Sequence, residues 1–509
     1  MNKVYKKDTE SYCEYTLPDY MGDVKKILTV NAVAIPSGKF VGDGEAEYSG
    51  IVSYDLLYSD SEGKLTRLTA SSDYDFLIPV DTESYIDSVC VPKIINLSTR
   101  LTGPRKLIVK AVVEGSVTAS FEDSVETVGT AFEGDNSPEL AKKTLMLEKL
   151  SFLTSPEREY AEEAERIAST SPEDIEIIAT SGAVRVIESA PVENGINVKG
   201  EIIITAIVRT DEQPPFAIKK IIPFDETVTF EEAGQDVQSV FDGYLTSVTA
   251  GLAEDGDDTV ITVNAIAELF GVVGKNYERE IITDAYLLNS QTEASYEEYP
   301  YSELLTMAKS EECVALAVPR AEVGCENARN IFTLSFDVRS LEKNISSGGV
   351  ELSGEIAVSG VACEIDEDNG VGYIPIKFTS PFSLAVKMPM EIPKDAEVEI
   401  SVSPLGAEGA LGSESVNLKC TLKIGWRVTK NAKIKRMKAC NDLGQAEDFV
   451  KPCAITVYYP DKEESLFEIA KRFHSSVAKI AADNKLAQQT LSASDYPVSL
   501  AGVKKLIIR

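Results

Sequence analysis

Few residues in this chain have the types and spacing that catalysis needs. There is one histidine, His474, in 509 residues, which excludes a histidine-based triad and a multi-histidine metal centre. It reads as a helix-end residue beside the C-terminal dipole. Eight cysteines, Cys13, Cys90, Cys313, Cys325, Cys363, Cys420, Cys440 and Cys453, are scattered without a C-x-x-C pair. Zinc spacing is therefore absent, and buried free thiols are expected. No G-x-S-x-G elbow and no G-x-x-x-x-G-K-[ST] phosphate loop occurs. The glycine-rich residues 406–413 lack the lysine such a loop requires and read as a hairpin loop. Acidic clusters at residues 254–258 and 364–370 each contain a turn dipeptide, Asp255-Gly256 or Asn369-Gly370, between strand-like runs, which predicts hairpins. Neither has the ligand spacing of a calcium loop. Nothing in the sequence places two carboxylates in one pocket, so the expectation is a non-enzyme without metal or cofactor.

Binding is the chemistry that remains, and it concentrates in residues 454–509. Ile455-Thr456-Val457-Tyr458 is β-branched and aromatic and stops at Tyr459-Pro460-Asp461, which predicts a strand and a turn. Ser465 is the expected N-cap of a helix whose Leu466, Ile469, Ala470 and Phe473 fall on one face. His474-Ser475-Ser476 interrupts that pattern, and Val477, Ile480, Ala481 and Ala482 begin a second helix ending near Asn484. Leu506-Ile507-Ile508 supplies a closing strand. The order β-α-α-β can bury one small core.

With this order, the words Ile-Thr-Val-Tyr, Glu-Ser-Leu-Phe-Glu-Ile-Ala-Lys-Arg-Phe, Asp-Asn-Lys-Leu and Lys-Leu-Ile-Ile resemble the LysM domain. That resemblance implies binding of N-acetylglucosamine glycans through the loops at residues 459–464 and 485–503. Both loops depart from the family. The usual Pro-Gly-Asp-(Ser/Thr)-Leu is here Pro460-Asp461-Lys462-Glu463-Glu464-Ser465-Leu466, and the usual Pro-Gly before the last strand is Ala501-Gly502. The second loop is long and carries Gln488, Gln489 and Tyr496. A changed glycan loop on an intact core points to a module that binds protein. The contact residues the resemblance implies are Tyr459, Asp461, Ser465, Leu466, Asn484, Lys485 and Tyr496.

The charge balance narrows the partners. With 82 acidic against 50 basic residues the net charge is -32, so the surface repels phosphate backbones and anionic headgroups, and nucleic acid is a poor partner. Arg427, Lys430, Lys433, Lys435, Arg436 and Lys438 form a basic segment against this trend. It reads either as a solvated strand face or linker, or as a docking patch for an acidic partner. The first thirty residues hold no apolar run after their charges, and no stretch nears the roughly 18 apolar residues of a membrane helix. A cytoplasmic location without signal peptide or membrane insertion is the expectation.

The chain also repeats itself. Residues 27–50, 177–200 and 332–354 each give an alternating strand, a polar turn region and a second strand that reaches a glycine, Gly50, Gly200 or Gly354. These glycines lie 150 and 154 residues apart (200 − 50; 354 − 200), about one domain length. A further strand block recurs at residues 107–113, 260–266 and 416–422. Three tandem β-rich sandwiches of five to seven short strands follow, with each glycine marking a bulge or bend. Trp426, on the last strand of the third copy, is expected in its core. Leu140, Leu145, Leu147 and Leu150, then Ser155-Pro156-Glu157 and a charged run, predict a helical connector over 137–171. An acidic, tyrosine-rich and then helical connector is expected over 291–325.

The strand-Gly-strand pattern, Ile222-Pro223-Phe224-Asp225 and Ile281-Ile282-Thr283-Asp284-Ala285-Tyr286 resemble the SPOCS domain of clostridial sporulation proteins, with Ile78-Pro79-Val80-Asp81 as the counterpart in the first copy. SPOCS repeats followed by LysM resemble the clostridial spore-coat morphogenetic proteins of the SipL type. The architecture implied is mainly β: SPOCS-like domains at 1–136, 172–290 and 326–440, helical connectors between them, and a LysM domain at 454–509. The function implied is a non-enzymatic scaffold at the forespore surface in the mother cell, docked by its LysM domain on the ATPase of the coat's basement layer. The alternative is a peptidoglycan-binding protein in which the repeats are spacers. What the repeats contact is left open.

Overall fold

The structure, a computed structural model, describes residues 2–122, 138–168, 170–210, 213–234, 236–288, 290–366, 370–444, 455–461, 464–486, 500 and 503–509. Strand accounts for 77% of it and helix for 4%, so the chain is mainly β. The first repeat holds β1 (Asn2–Thr16), β2 (Val24–Gly42), β3 (Glu45–Asp60), β4 (Leu65–Pro79), β5 (Tyr85–Gly103) and β6 (Lys106–Phe121). They form two antiparallel sheets, β1-β6-β5 and β2-β3-β4. The second holds β7 (Glu139–Thr154), β8 (Arg158–Ile167), β9 (Ile175–Val192), β10 (Gly195–Thr210), β11 (Phe216–Thr229), β12 (Gln238–Asp255) and β13 (Asp258–Tyr286). Its sheets are β12-β13-β7, with β8 also on β13, and β11-β10-β9. The third holds β14 (Thr292–Pro319), β15 (Ala328–Ser346), β16 (Gly349–Asp366), β17 (Gly370–Lys387), β18 (Ala396–Leu411) and β19 (Ser415–Asp442), paired as β14-β19-β18 and β15-β16-β17.

One wiring thus recurs three times: a central meander forms one sheet, and the first strand returns to pair with the last to form the other. The central strand of each sheet alternates more and less buried residues over most of its length. In the first repeat Val52, Tyr54 and Leu56 of β3 face Val109, Ala111 and Val113 of β6 in one core. In the third, Leu352, Ile356 and Val358 of β16 share a core with Leu418, Leu422 and Trp426 of β19, as expected for Trp426. Alternation buries one face of each strand and leaves the other for solvent or a neighbour.

Among the described residues neither expected connector is helical. Residues 139–154 and 158–167 are strands lying end to end along one edge of β13, and 292–319 is a strand running the length of β19. The second repeat therefore begins at Glu139, not 172, and the third at Thr292, not 326. The Ala, Glu, Arg and Leu in these segments favour helix by intrinsic propensity, but a ladder with a buried last strand outweighs tenths of a kcal/mol per residue. Ser155 does cap, though at a strand junction: its N–H donates to the Leu269 carbonyl at 2.8 Å and its hydroxyl accepts from the Leu269 N–H at 2.9 Å. The glutamates of β8 lie on an edge strand, where charge discourages further pairing. The strands are also long rather than short, up to 29 residues in β13.

The acidic segment expected as a connector and the basic segment turn out to be partners. Glu297, Glu298 and Glu303 of β14 stand opposite Arg436, Lys435 and Lys430 of β19. Arg436 Nε donates to Glu297 Oε1 at 2.6 Å, and Lys435 Nζ lies 4.0 Å over the Tyr296 ring. The basic segment is a strand face neutralised by its neighbour. Residues 406–411 likewise belong to β18, with the turn confined to 412–414, whereas Gly256, at φ 67°, makes the expected hairpin turn between β12 and β13.

The three signature glycines occupy equivalent places. Each sits on the middle strand of a meander opposite an aromatic residue of the next strand: Gly50 with Tyr74, Gly200 with Phe224, Gly354 with Phe382. Each also lies beside a bulge in the preceding strand. The aromatic ring covers the glycine and the bulged strand's carbonyl approaches it, so a Cβ has no room. This register corrects the counterpart of residues 222–225 in the first repeat. It is Ser72-Asp73-Tyr74-Asp75, not Ile78-Pro79-Val80-Asp81, which closes β4 opposite Glu45.

Seven residues after each glycine, Leu57, Ile207 and Val361 point away from their own sandwich. They meet Leu28, Ile178 and Phe332 in a single buried cluster drawn from all three repeats. Leu28, Ile178 and Phe332 are the extra residues of a second bulge in β2, β9 and β15, and each precedes its glycine by 22 (50 − 28; 200 − 178; 354 − 332). Equivalent residues from three copies in one core place a pseudo-threefold axis there. The repeats form a closed platform rather than beads on a string.

Candidate functional site

The C-terminal module has the expected order: β20 (Thr456–Tyr458), α1 (Leu466–Arg472), α2 (Val477–Asp483) and β21 (Leu506–Ile508), with β20 antiparallel to β21. Ser465 and Glu468 form a reciprocal capping box at the start of α1, which satisfies two helix N–H groups and is worth about 1 kcal/mol. Leu466, Phe467, Ile469, Ala470, Val477, Ile480, Ala481, Leu506 and Ile508 fill the core. His474 takes a left-handed conformation, φ 45°, just past α1.

That core is not closed by the module alone. Ala141 of β7 and Tyr286 of β13 belong to it. The Tyr286 ring meets Phe467 edge-on at 5.1 Å, and its hydroxyl donates to the Ser475 carbonyl at 2.8 Å. Lys471 Nζ reaches both carboxylate oxygens of Asp284, at 2.7 and 2.6 Å. The segment 281–286, singled out in the sequence as part of the repeat pattern, is thus the socket that seats the module on the second repeat.

The first loop is held by a residue that sequence reasoning passed over. Glu464 accepts from the Tyr458 hydroxyl at 2.8 Å, from the Asp461 N–H at 3.1 Å and from Arg472 at 2.8 Å. These bonds, that from Tyr458 foremost, hold the Glu464 carboxyl below its usual range and push the Tyr458 hydroxyl up. The carboxylate thereby ties the Asp461 N–H of the loop to the residue just before α1. Its spacing to Arg472, two helical turns on, was the available signal.

The expected contact residues divide. Tyr459 is 71% exposed, and Asp461 and Lys485 are also on the surface, Lys485 at φ 55° after α2. Ser465 is the buried cap and Leu466 is fully buried, so neither offers a surface to a ligand. Asn484 is spent internally: its amide donates to the Ile480 and Ile507 carbonyls at 2.8 and 2.7 Å and accepts from the Ile507 N–H at 2.6 Å, which ties β21 to α2. Tyr496, with most of the second loop, lies outside the described residues. Two neighbours of Tyr459 at alternating positions, Ile455 and Val457, are 55% and 52% exposed, so β20 turns an apolar stripe to solvent.

Charge sets the module apart. Residues 454–509 carry eight Lys and Arg and six Asp and Glu, a net +2, which leaves -34 on residues 1–453. Among the described residues seven cysteines are free, three buried (Cys325, Cys363, Cys420), three half-buried and Cys313 exposed; Cys453 lies outside them. No helix among the described residues is long and apolar enough to cross a membrane. No protein-family model, curated protein or solved structure matches this chain.

Proposed function

We propose that this chain is a non-enzymatic scaffold of the spore envelope, of the kind its LysM and SPOCS resemblances imply: an acidic platform that presents a C-terminal docking module to a protein partner at the forespore surface. The observation that carries the reading is the seating of the module. A small β-α-α-β unit of opposite net charge is clamped to the platform through Tyr286 and Asp284, while Tyr459, Asp461 and Lys485 stay outside the clamp. Such an arrangement fixes the direction in which a partner is held relative to three repeats, which a glycan anchor on a spacer does not need. Affinity would come from a few anchors, Tyr459 first, rather than from area.

The partner proposed is the basement-layer coat ATPase, a protein, with peptidoglycan as the competing ligand. Binding of the whole chain to that ATPase and to N-acetylglucosamine oligomers, measured side by side, tests it. Saturable ATPase binding that Tyr459→Ala weakens, with none to sugar, is the expected result. Sugar binding alone overturns it.

A further inference from the structure

A second site is built where the first and third repeats face each other. Residues 93–97 of β5 and 337–340 of β15 line a half-open cleft of about 280 Å³. Both walls are irregular. A bulge interrupts β5 between Ile94 and Asn96, and another interrupts β15 between Arg339 and Glu342. Ser340, within the second bulge, holds a left-handed φ of 51°, a strained conformation for serine. Bulges re-aim side chains, and strain of this kind is retained where the surroundings impose it.

The charges brought together are unusual for this molecule. Lys93 from one repeat and Arg339 from the other converge with Asp337. None of the three side chains makes a hydrogen bond or ion pair with another described residue. Although Asp337 reaches water, the protein around it pushes its carboxyl up from the usual aspartate range, against the pull of Arg339 and Lys93.

The chain contains its own comparison. Counting back 15 from the signature glycines, the counterpart of Arg339 in the second repeat is Arg185 (354 − 15 = 339; 200 − 15 = 185). Arg185 also faces another repeat, and there it grips a carboxylate: Nε lies 2.9 Å from Glu311 Oε1 and Nη2 lies 2.7 Å from Glu311 Oε2. Opposite Arg339 stands β5, which brings a second cation, Lys93, where the other seam brings a carboxylate.

We infer that the cleft between β5 and β15 binds a small amino acid with an acidic side chain, its carboxylates held by Arg339 and Lys93 and its ammonium group by Asp337. Two cations and one anion are the complement of two carboxylates and one ammonium. Bidentate guanidinium–carboxylate pairing supplies the orientation. Asn96 and the Ser340 hydroxyl remain for further hydrogen bonds, and Leu97 and Val338 offer apolar wall to the methylenes.

Calorimetric titration of the full chain with L-glutamate, glutarate and n-butylamine tests the inference. L-glutamate should bind about tenfold or more tighter than glutarate, a difference set by the added ammonium contact, and n-butylamine should not bind. Arg339→Gln and Lys93→Gln should each abolish L-glutamate binding without moving the urea midpoint, and Asp337→Asn should erase the preference over glutarate. Equal binding of L-glutamate and glutarate to the native chain, binding that survives Arg339→Gln, or no saturable heat with any of the three overturns it.

Discussion

Arg427 of the third repeat lies against Glu148 of the second, with Nη1 at 3.1 and 3.0 Å from the two carboxylate oxygens and side chains only 13% and 2% exposed. Glu399 grips the other side of the same guanidinium, and Asn2 of the first repeat donates to Glu148 at 2.8 Å. All three repeats therefore meet at one buried charge pair. Replacing both partners with apolar residues could be neutral, but removing one strands the other. Glu148→Ala should cost about 3 kcal/mol or more in urea unfolding, whereas Glu399→Ala, whose carboxylate is 41% exposed, should cost under about 1 kcal/mol. Equal losses would mean that the Glu148 pair is no more desolvated than a surface bridge.

The signature glycines should not tolerate alanine equally. A Cβ at Gly50 would lie 2.3 Å from the Tyr74 hydroxyl oxygen and 2.4 Å from the Ile35 carbonyl oxygen, and at Gly200 it would lie 2.2 Å from the Arg185 carbonyl oxygen. At Gly354 the nearest atom is 2.9 Å away. Gly50→Ala and Gly200→Ala should each destabilise by roughly 2–3 kcal/mol and Gly354→Ala by about 1 kcal/mol, read from denaturant midpoints at constant m. The ranking matters more than the values.

Lys309 gives the seam between the second and third repeats a pH dependence. Its ammonium donates to the Val186 and Phe241 carbonyls at 2.5 and 3.0 Å, and burial lowers its pKa to about 8. Below pH 8 the folded chain carries the full cost of desolvating the ammonium. As pH rises from 8 toward the usual lysine range, the folded form gives up its proton while the unfolded form keeps it, so stability increases. Native protein should therefore gain on Lys309→Met between pH 8 and 10 in paired thermal melts. A constant difference across that window would place the ammonium in water.

Truncation of Tyr286 should unseat the C-terminal module without unfolding the platform. The side chain is 1% exposed and reaches from β13 of the second repeat into the module's core, and removing a buried aromatic costs about 3–5 kcal/mol. Amide exchange in α1 and α2 should accelerate in Tyr286→Ala while β10 and β16 keep their protection. Lys471→Ala should have the same sign and a smaller size. Uniform acceleration across the whole chain would show that the module and platform unfold as one.

The C-terminal module was legible because local rules act alone there: Ser465 caps, apolar residues recur at helical spacing, and short strands flank them. The repeats were legible through their glycines and their alternation. What misled was composition. Residues 158–167 look helical in isolation, and only pairing with β13 makes them a strand, a contact across about a hundred residues that no window of sequence contains. The same holds for residues 296–309 on β19. A signal for the central junction was present, since alternation breaks into the buried runs Leu56-Leu57-Tyr58, Ala206-Ile207-Val208 and Gly360-Val361-Ala362, six to eight residues after each glycine. Lys93 and Arg339 were beyond reach, because two bulges decide where those strands turn.

The return of each first strand to pair with the last sets a timetable for synthesis. Thr292 opens β14 and its partner is Asp442, so that end of the strand leaves the ribosome well before the residue it must bond to. At roughly 5–20 residues per second the wait is on the order of ten seconds or more. During it the meander β15-β16-β17 can assemble by local hairpins, while β14 remains an unpaired ribbon beside it. The glutamates along that ribbon, which later neutralise the lysines of β19, would meanwhile repel neighbouring nascent chains. The residues that close the third repeat would then also protect it until its last strand is made.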